Sequence, residues 1–153
     1  IHQCGDNSVY NDFEKLENHY KEIRHSVRGK YYLRRFVLED EIGEAYMKSD
    51  LVISRSGAHT VSEIIALKKP ALLIPIPWVS HNEQFENAKM VKNLGLSEIL
   101  EQDNLTPETL VENVKECFSK LGSYKLKDSE VLEFLKSNPA ELITNEVIQV
   151  AKK

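Results

Sequence analysis

The 153-residue chain has two cysteines, one tryptophan and no surplus of positive charge. Each shortage removes a class of function. Cys4 and Cys117 stand far apart and belong to no metal-binding spacing, so they read as two reduced thiols of a cytoplasmic protein. No apolar run approaches the roughly 20 residues that span a bilayer. The formal net charge of −4 argues against a general nucleic-acid binder. The one dense basic stretch is Arg24, His25, Arg28, Lys30, Arg34 and Arg35. It reads as a solvated helix end and loop, with an anionic partner or membrane surface as the alternative. Asp-x-Asp pairs, which hold metal in many nucleotide-sugar enzymes, are also missing.

What remains is ordinary for a soluble globular domain: 41% hydrophobic and 29% charged residues, enough for one core. The chain reads as a single domain over 1–153, with sheet and helices to about 100 and helices alone over 101–153. Ile1-His2-Gln3-Cys4-Gly5 looks like the end of a strand and its loop, so upstream sequence is expected. Val9, Phe13, Leu16, Tyr20 and Ile23 recur at helical steps. Tyr31 to Leu38 reads as a strand, and Glu41 to Lys48 as a short helix. Leu51-Val52-Ile53 reads as a parallel strand buried on both faces. Ala58 to Lys68 is expected to be a helix with Ala58, Val61 and Ile65 inward. Ala71 to Ile74 is a second buried strand, Asn82 to Leu94 a helix ended by Gly95, and Ser97 to Leu100 a last strand. Thr106-Pro107 opens a helix with Leu110, Val114, Cys117 or Phe118, and Leu121 on one stripe. Another helix is expected after Asp128, and a last one from Asn138-Pro139 to Val150, with Glu141 placed for a capping box. The alternation means an α/β fold, a Rossmann-like parallel sheet with helices on both faces. Ligands of such sheets bind at the carboxyl ends of the strands.

Two of those loops carry the chemistry. Ser54-Arg55-Ser56-Gly57-Ala58-His59-Thr60-Val61-Ser62-Glu63 joins a strand to a helix. Ser56, Gly57 and Ala58 are small enough for a ligand to approach the backbone. The helix start offers open N–H groups and the positive dipole end, which suits a diphosphate. Thr60 adds a hydroxyl. Glu63, one turn on, can accept from both hydroxyls of a ribose. An equally concrete reading is that Thr60-x-x-Glu63 is a capping box with no ligand. The second loop runs from Pro75 through His81 to Gln84. Gln84 and Asn87 share a helical face, and their amides suit sugar hydroxyls. The plain reading is a polar helix start. His59 and His81 sit near the same cleft as wall or surface residues, and neither is read as a catalytic base.

Together these residues resemble the C-terminal domain of the MurG family of N-acetylglucosamine transferases. The similarity is carried by Asp50 to Ala58, by Thr60-Val61-Ser62-Glu63, by Pro70 to Pro75, by Gln84 and Asn87-Ala88, and by His2-Gln3-x-Gly5. It runs to about residue 100, and Asn138 to Val150 resembles the family's final helix. The resemblance implies the C-terminal half of a two-domain GT-B fold that binds UDP-GlcNAc and transfers its sugar with inversion to a lipid-linked acceptor. The best-known members act on the peptidoglycan precursor lipid I. It implies that Gly57-Ala58 and the following turn, with His59, face the diphosphate, and that Glu63 holds the ribose. Gln84 and Asn87 would face the sugar, and the uracil would lie against Val37 and Leu38, with Gln3 and Gly5 in a neighbouring loop. No cofactor is implied. The family's glycine-rich first loop and its acceptor domain with the expected base are absent, and Glu83 stands where relatives often have histidine or glutamine. The implied setting is cytoplasmic, peripheral at the membrane face when complete.

Three alternatives stay open. The chain could be the soluble subunit of a two-part GlcNAc transferase with a membrane-bound partner. It could be a UDP-GlcNAc 2-epimerase-like isomerase. It could also be a non-catalytic nucleotide-binding domain.

Overall fold

The structure is a computed structural model, and it describes residues 1–127, 131 and 137–152. The chain divides into two compact units, Ile1–Ser49 and Asp50–Lys153.

The first unit holds β1 (His2–Gln3), α1 (Asp12–Ile23), β2 (Leu33–Arg34) and α2 (Glu39–Lys48). β1 and β2 pair in parallel, with His2 opposite Leu33. The expected strand over Tyr31 to Leu38 is therefore longer than the paired one. α1 starts later than its apolar spacing suggested. Asn11 takes a left-handed conformation, φ 51°, and Val9 lies outside the helix, 83% exposed. Tyr31 reaches back to α1, with its ring 5.2 Å from Tyr20. The Arg35 guanidinium lies 4.2 Å above the Phe13 ring and pairs with Glu14. That hydrogen bond holds the Glu14 carboxyl below its ordinary range. No described residue of this unit is fully buried.

The core lies in the second unit. Among its described residues three strands, β3 (Val52–Ser54), β4 (Ala71–Leu73) and β5 (Ser97–Ile99), are parallel in the order β3-β4-β5. β4 is central and completely buried, as its apolar run requires. Its side chains alternate. Ala71 and Leu73 pack with Val61 and Ile64 of α3 (Ala58–Leu67) and with Ala88 and Val91 of α4 (Glu83–Asn93). Leu72 and Ile74 pack on the other face with Leu100 and with Cys117 of α5 (Pro107–Ser119). This sheet thus carries helices on both faces. The stripe of α5 runs through Cys117, 1% exposed, whereas Phe118 is 51% exposed.

Two expectations need correcting. Ile53 is 47% exposed, because β3 is an edge strand of this sheet and the core packs around β4. Ala58 is exposed, because it is the first residue of α3, just past the carboxyl end of β3; Val61 and Ile65 face inward as expected, and Ile64 joins them.

Chain reversals follow from local chemistry. α4 ends at Gly95, whose φ of +81° favours glycine, and a side chain there would meet the Lys125 carbonyl oxygen at 2.7 Å. Thr106 and Thr109 cap α5 reciprocally, with Pro107 at the first helical position. The last helix, α6 (Pro139–Ala151), opens where Asn138 Oδ1 accepts from the Ala140 N–H at 3.1 Å. The helix expected after Asp128 falls largely on residues outside the described ones.

Candidate nucleotide-sugar site

The carboxyl ends of β3 and β4 lead into α3 and α4, so both sequence motifs of the second unit sit where a parallel sheet binds ligands. α3 begins at Ala58 with Gly57 as N-cap, and no side chain caps it. Thr60 is therefore the third helical residue. It does not precede the helix, so Thr60 and Glu63 form no capping box. The first backbone bond of α3 runs from the Val61 N–H to the Gly57 carbonyl, 3.0 Å. Among the described residues nothing accepts from the N–H groups of Ala58, His59 and Thr60. The first turn also carries no acidic side chain. Three amides and an uncompensated dipole end face outward from exposed or half-buried positions. Glu63 is half-buried and outside the core, one turn further along.

Ser56 behaves differently from its neighbours. It is 0% exposed, and its hydroxyl donates to the Gln84 carbonyl at 2.7 Å. Its own carbonyl accepts from Asn87 Nδ2 at 3.0 Å. Gln84 Oε1 accepts from the Ile76 N–H at 3.1 Å. Ser56, Gln84 and Asn87 thus come together, as the motif suggested, but mainly to bind the two loops to each other. Gly57, Ala58, His59 and Thr60 are left as the outward part of the first loop.

Within the first unit, Gln3, Gly5, Val37 and Leu38 also form one neighbourhood. Gln3 Oε1 accepts from the Val37 N–H at 2.6 Å, and the Gly5 N–H donates to the Arg35 carbonyl at 2.9 Å. Leu38 is 61% exposed at the start of α2.

Sequence reasoning gave no role to Arg55. Its guanidinium donates to the Ile74 carbonyl at 3.0 Å and to Gln102 Oε1 at 2.6 Å. It ties the loops after β3, β4 and β5 together and adds a positive charge beside α3. Its place directly after β3, before the small residues, was the available signal. The segment 101–103 was also missed. Glu101, Gln102 and Asp103 line a cleft of about 210 Å³ with Pro75, Pro77, Asn82 and Phe85. That volume is below the usual 300–1,000 Å³ of a small-molecule pocket, so this cleft alone does not hold a nucleotide sugar. His81 and Asn82, both at φ 56°, lead into α4 through a left-handed turn.

No group of three or more His, Cys, Asp or Glu among the described residues could hold a metal ion. No helix among them is long and apolar enough to cross a membrane.

Comparison with known proteins fits this geometry. The profile of the family described as "Glycosyltransferase family 28 C-terminal domain" matches residues 1–146. A relative from Proteus mirabilis (strain HI4320) is named UDP-N-acetylglucosamine--N-acetylmuramyl-(pentapeptide) pyrophosphoryl-undecaprenol N-acetylglucosamine transferase. It is 32% identical over 152 residues, which is 99% of this chain and 40% of the relative. A relative of the same name from Campylobacter jejuni subsp. doylei is 34% identical, over 84% of this chain and 32% of its own length. The chain therefore spans less than half the length of these relatives. The crystal structure of Acinetobacter baumannii MurG resembles 76% of this chain with a TM-score of 0.61 and 26% identity, over 31% of that protein. The parallel strands with flanking helices are those of a GT-B enzyme's C-terminal part, and the chain belongs to the glycosyltransferase family 28 C-terminal domain family.

Proposed function

We propose that this chain is the UDP-GlcNAc-binding part of an inverting transferase that moves N-acetylglucosamine to a lipid-linked acceptor during peptidoglycan precursor synthesis. One observation carries the reading: the start of α3 is uncapped, free of acidic residues and open at Gly57 to Thr60. Breaking the sugar–phosphate bond builds negative charge on the departing UDP. Amides and a helix dipole already aimed at that charge lower the barrier by a few kcal/mol. Glu63 accepts from the ribose hydroxyls. Gln84 and Asn87 meet the sugar, and Val37 and Leu38, beside Gln3 and Gly5, serve the uracil. Arg55 adds charge at the diphosphate end.

The base that deprotonates the acceptor hydroxyl has to come from outside this chain. Either an acceptor-binding domain, such as the longer relatives have room for, or a membrane-bound partner subunit supplies it. On this reading all of 1–153 works as one donor-binding domain, at the cytoplasmic face of the membrane. The chain alone then binds donor without turning it over.

Calorimetric titration with UDP-GlcNAc, UDP-glucose and UDP tests the proposal. It requires binding of all three, tightest for UDP-GlcNAc, and no UDP-ManNAc on incubation with UDP-GlcNAc. Absence of UDP binding by the folded chain contradicts it, and formation of UDP-ManNAc would make the chain an isomerase.

A further inference from the structure

Resting on the sugar assignment just made, we infer that backbone groups fix the polarity of the sugar-facing amides and that Ser56 is the positioning residue that holds both side chains in place. Gln84 presents a donor and Asn87 an acceptor.

A side-chain amide has one donating and one accepting end, and either could in principle face a ligand. Here the backbone decides. Asn87 reaches the Ser56 carbonyl at 3.0 Å. A carbonyl only accepts, so the nitrogen of Asn87 must lie there and Oδ1 is left over. Gln84 reaches the Ile76 N–H at 3.1 Å. An N–H only donates, so the oxygen of Gln84 must lie there and Nε2 is left over. Among the described residues neither leftover atom has a protein partner. Among the described residues the buried side-chain atoms that lack partners are Glu14 Oε2, Ser97 Oγ and Tyr124 OH, so both leftover amide atoms reach the surface.

Ser56 holds both arrangements. Its fully buried hydroxyl pins the Gln84 backbone at 2.7 Å, and its carbonyl orients Asn87. The two side chains stand three residues apart on the first turns of α4, hence on one face. A donor beside an acceptor matches a ring hydroxyl, which accepts from one and donates to the other. A phosphate oxygen can satisfy only Gln84, and an ammonium only Asn87. The chemistry selected is therefore a hydroxylated ring.

The test compares affinities of the 153-residue chain for UDP-GlcNAc and for UDP. Gln84→Glu keeps an oxygen for Ile76 and replaces the donor with a second, negatively charged acceptor. It is expected to lower the preference for UDP-GlcNAc over UDP about tenfold, a ratio that leaves out the repulsion the new charge exerts on the diphosphate common to both ligands. Ser56→Ala, which touches no sugar, is expected to lower the same preference several-fold. A purely structural defect weakens both ligands together and leaves that ratio alone. Should Ser56→Ala fail to fold, Gln84→Glu still decides the polarity, and Ser56→Gly repeats the positioning arm without adding volume. Wild-type preference in Gln84→Glu, or in both folded Ser56 variants, overturns the inference. A wild-type chain that binds UDP and UDP-GlcNAc equally tightly overturns the sugar assignment beneath it instead.

Discussion

Arg55 donates to Gln102 Oε1 at 2.6 Å, although 47 residues separate them in sequence. The same guanidinium nitrogen reaches the Ile74 carbonyl at 3.0 Å, so one side chain spans the loops after all three strands of the second unit. A lysine offers one compact charge in place of a planar fork and cannot reproduce the arrangement. Arg55→Lys should lower stability by about 1 kcal/mol and weaken UDP several-fold, read by chemical denaturation and calorimetry. Wild-type affinity in this variant would remove Arg55 from the site.

Glu63 should matter to the nucleotide and not to the sugar. Glu63→Ala is expected to weaken UDP, UDP-glucose and UDP-GlcNAc alike, by about 1–3 kcal/mol, as when a polar group loses its partner. Circular dichroism should first establish that the variant is folded. An unchanged affinity for UDP would refute the ribose assignment.

Gly95 tests the fold apart from any ligand. Its φ of +81° and the Lys125 carbonyl 2.7 Å from an added Cβ leave no room for alanine. Gly95→Ala should cost about 2 kcal/mol or more, seen as a lower urea midpoint with little change in slope. A midpoint equal to wild type would contradict the turn at the end of α4.

Much of this was legible because it is local. Thr106-Pro107 announces α5, Gly95 announces the end of α4, and the apolar Ala71 to Ile74 announces a central strand. The loop between β3 and α3 was legible for the same reason, since small residues after a strand and before a helix are adjacent in sequence. What stayed hidden depends on distant partners. Nothing near Ser56 says that its hydroxyl will turn inward to Gln84, 28 residues on. Nothing near Ile53 says that β3 will lie at an edge of the sheet. The choice between Cys117 and Phe118 turns on where α5 meets Leu72, and the two alternatives are neighbours on the same stripe. The capping-box reading of Thr60 and Glu63 fell because α3 begins two residues before Thr60.

Acid should act through Glu98. Partial burial raises its pKa, but hydrogen bonds from Lys120 at 2.8 Å and Lys92 at 3.0 Å outweigh this, and the net direction is down. A lowered folded value means that the stabilisation is present above the unfolded glutamate pKa, about 4.3, and is lost as pH falls through the folded value. Lys120 is shifted upward by Glu116 and then by Glu98, and the Glu98 part is the same interaction seen from its partner. Glu98→Gln should cost about 0.5–1 kcal/mol at pH 7 and progressively less as the pH falls below the ordinary glutamate value, measured by urea denaturation at neutral and acid pH. An equal loss at both would point to packing and not charge.

The central claim is that the open amides at the start of α3 grip a diphosphate. Backbone amide NMR during titration of the ¹⁵N-labelled chain with uridine and then with UDP tests it most directly. The account predicts that UDP, and not uridine, shifts the Ala58, His59 and Thr60 amides more than any others in the second unit. Saturable UDP binding that leaves those three resonances in place would contradict it.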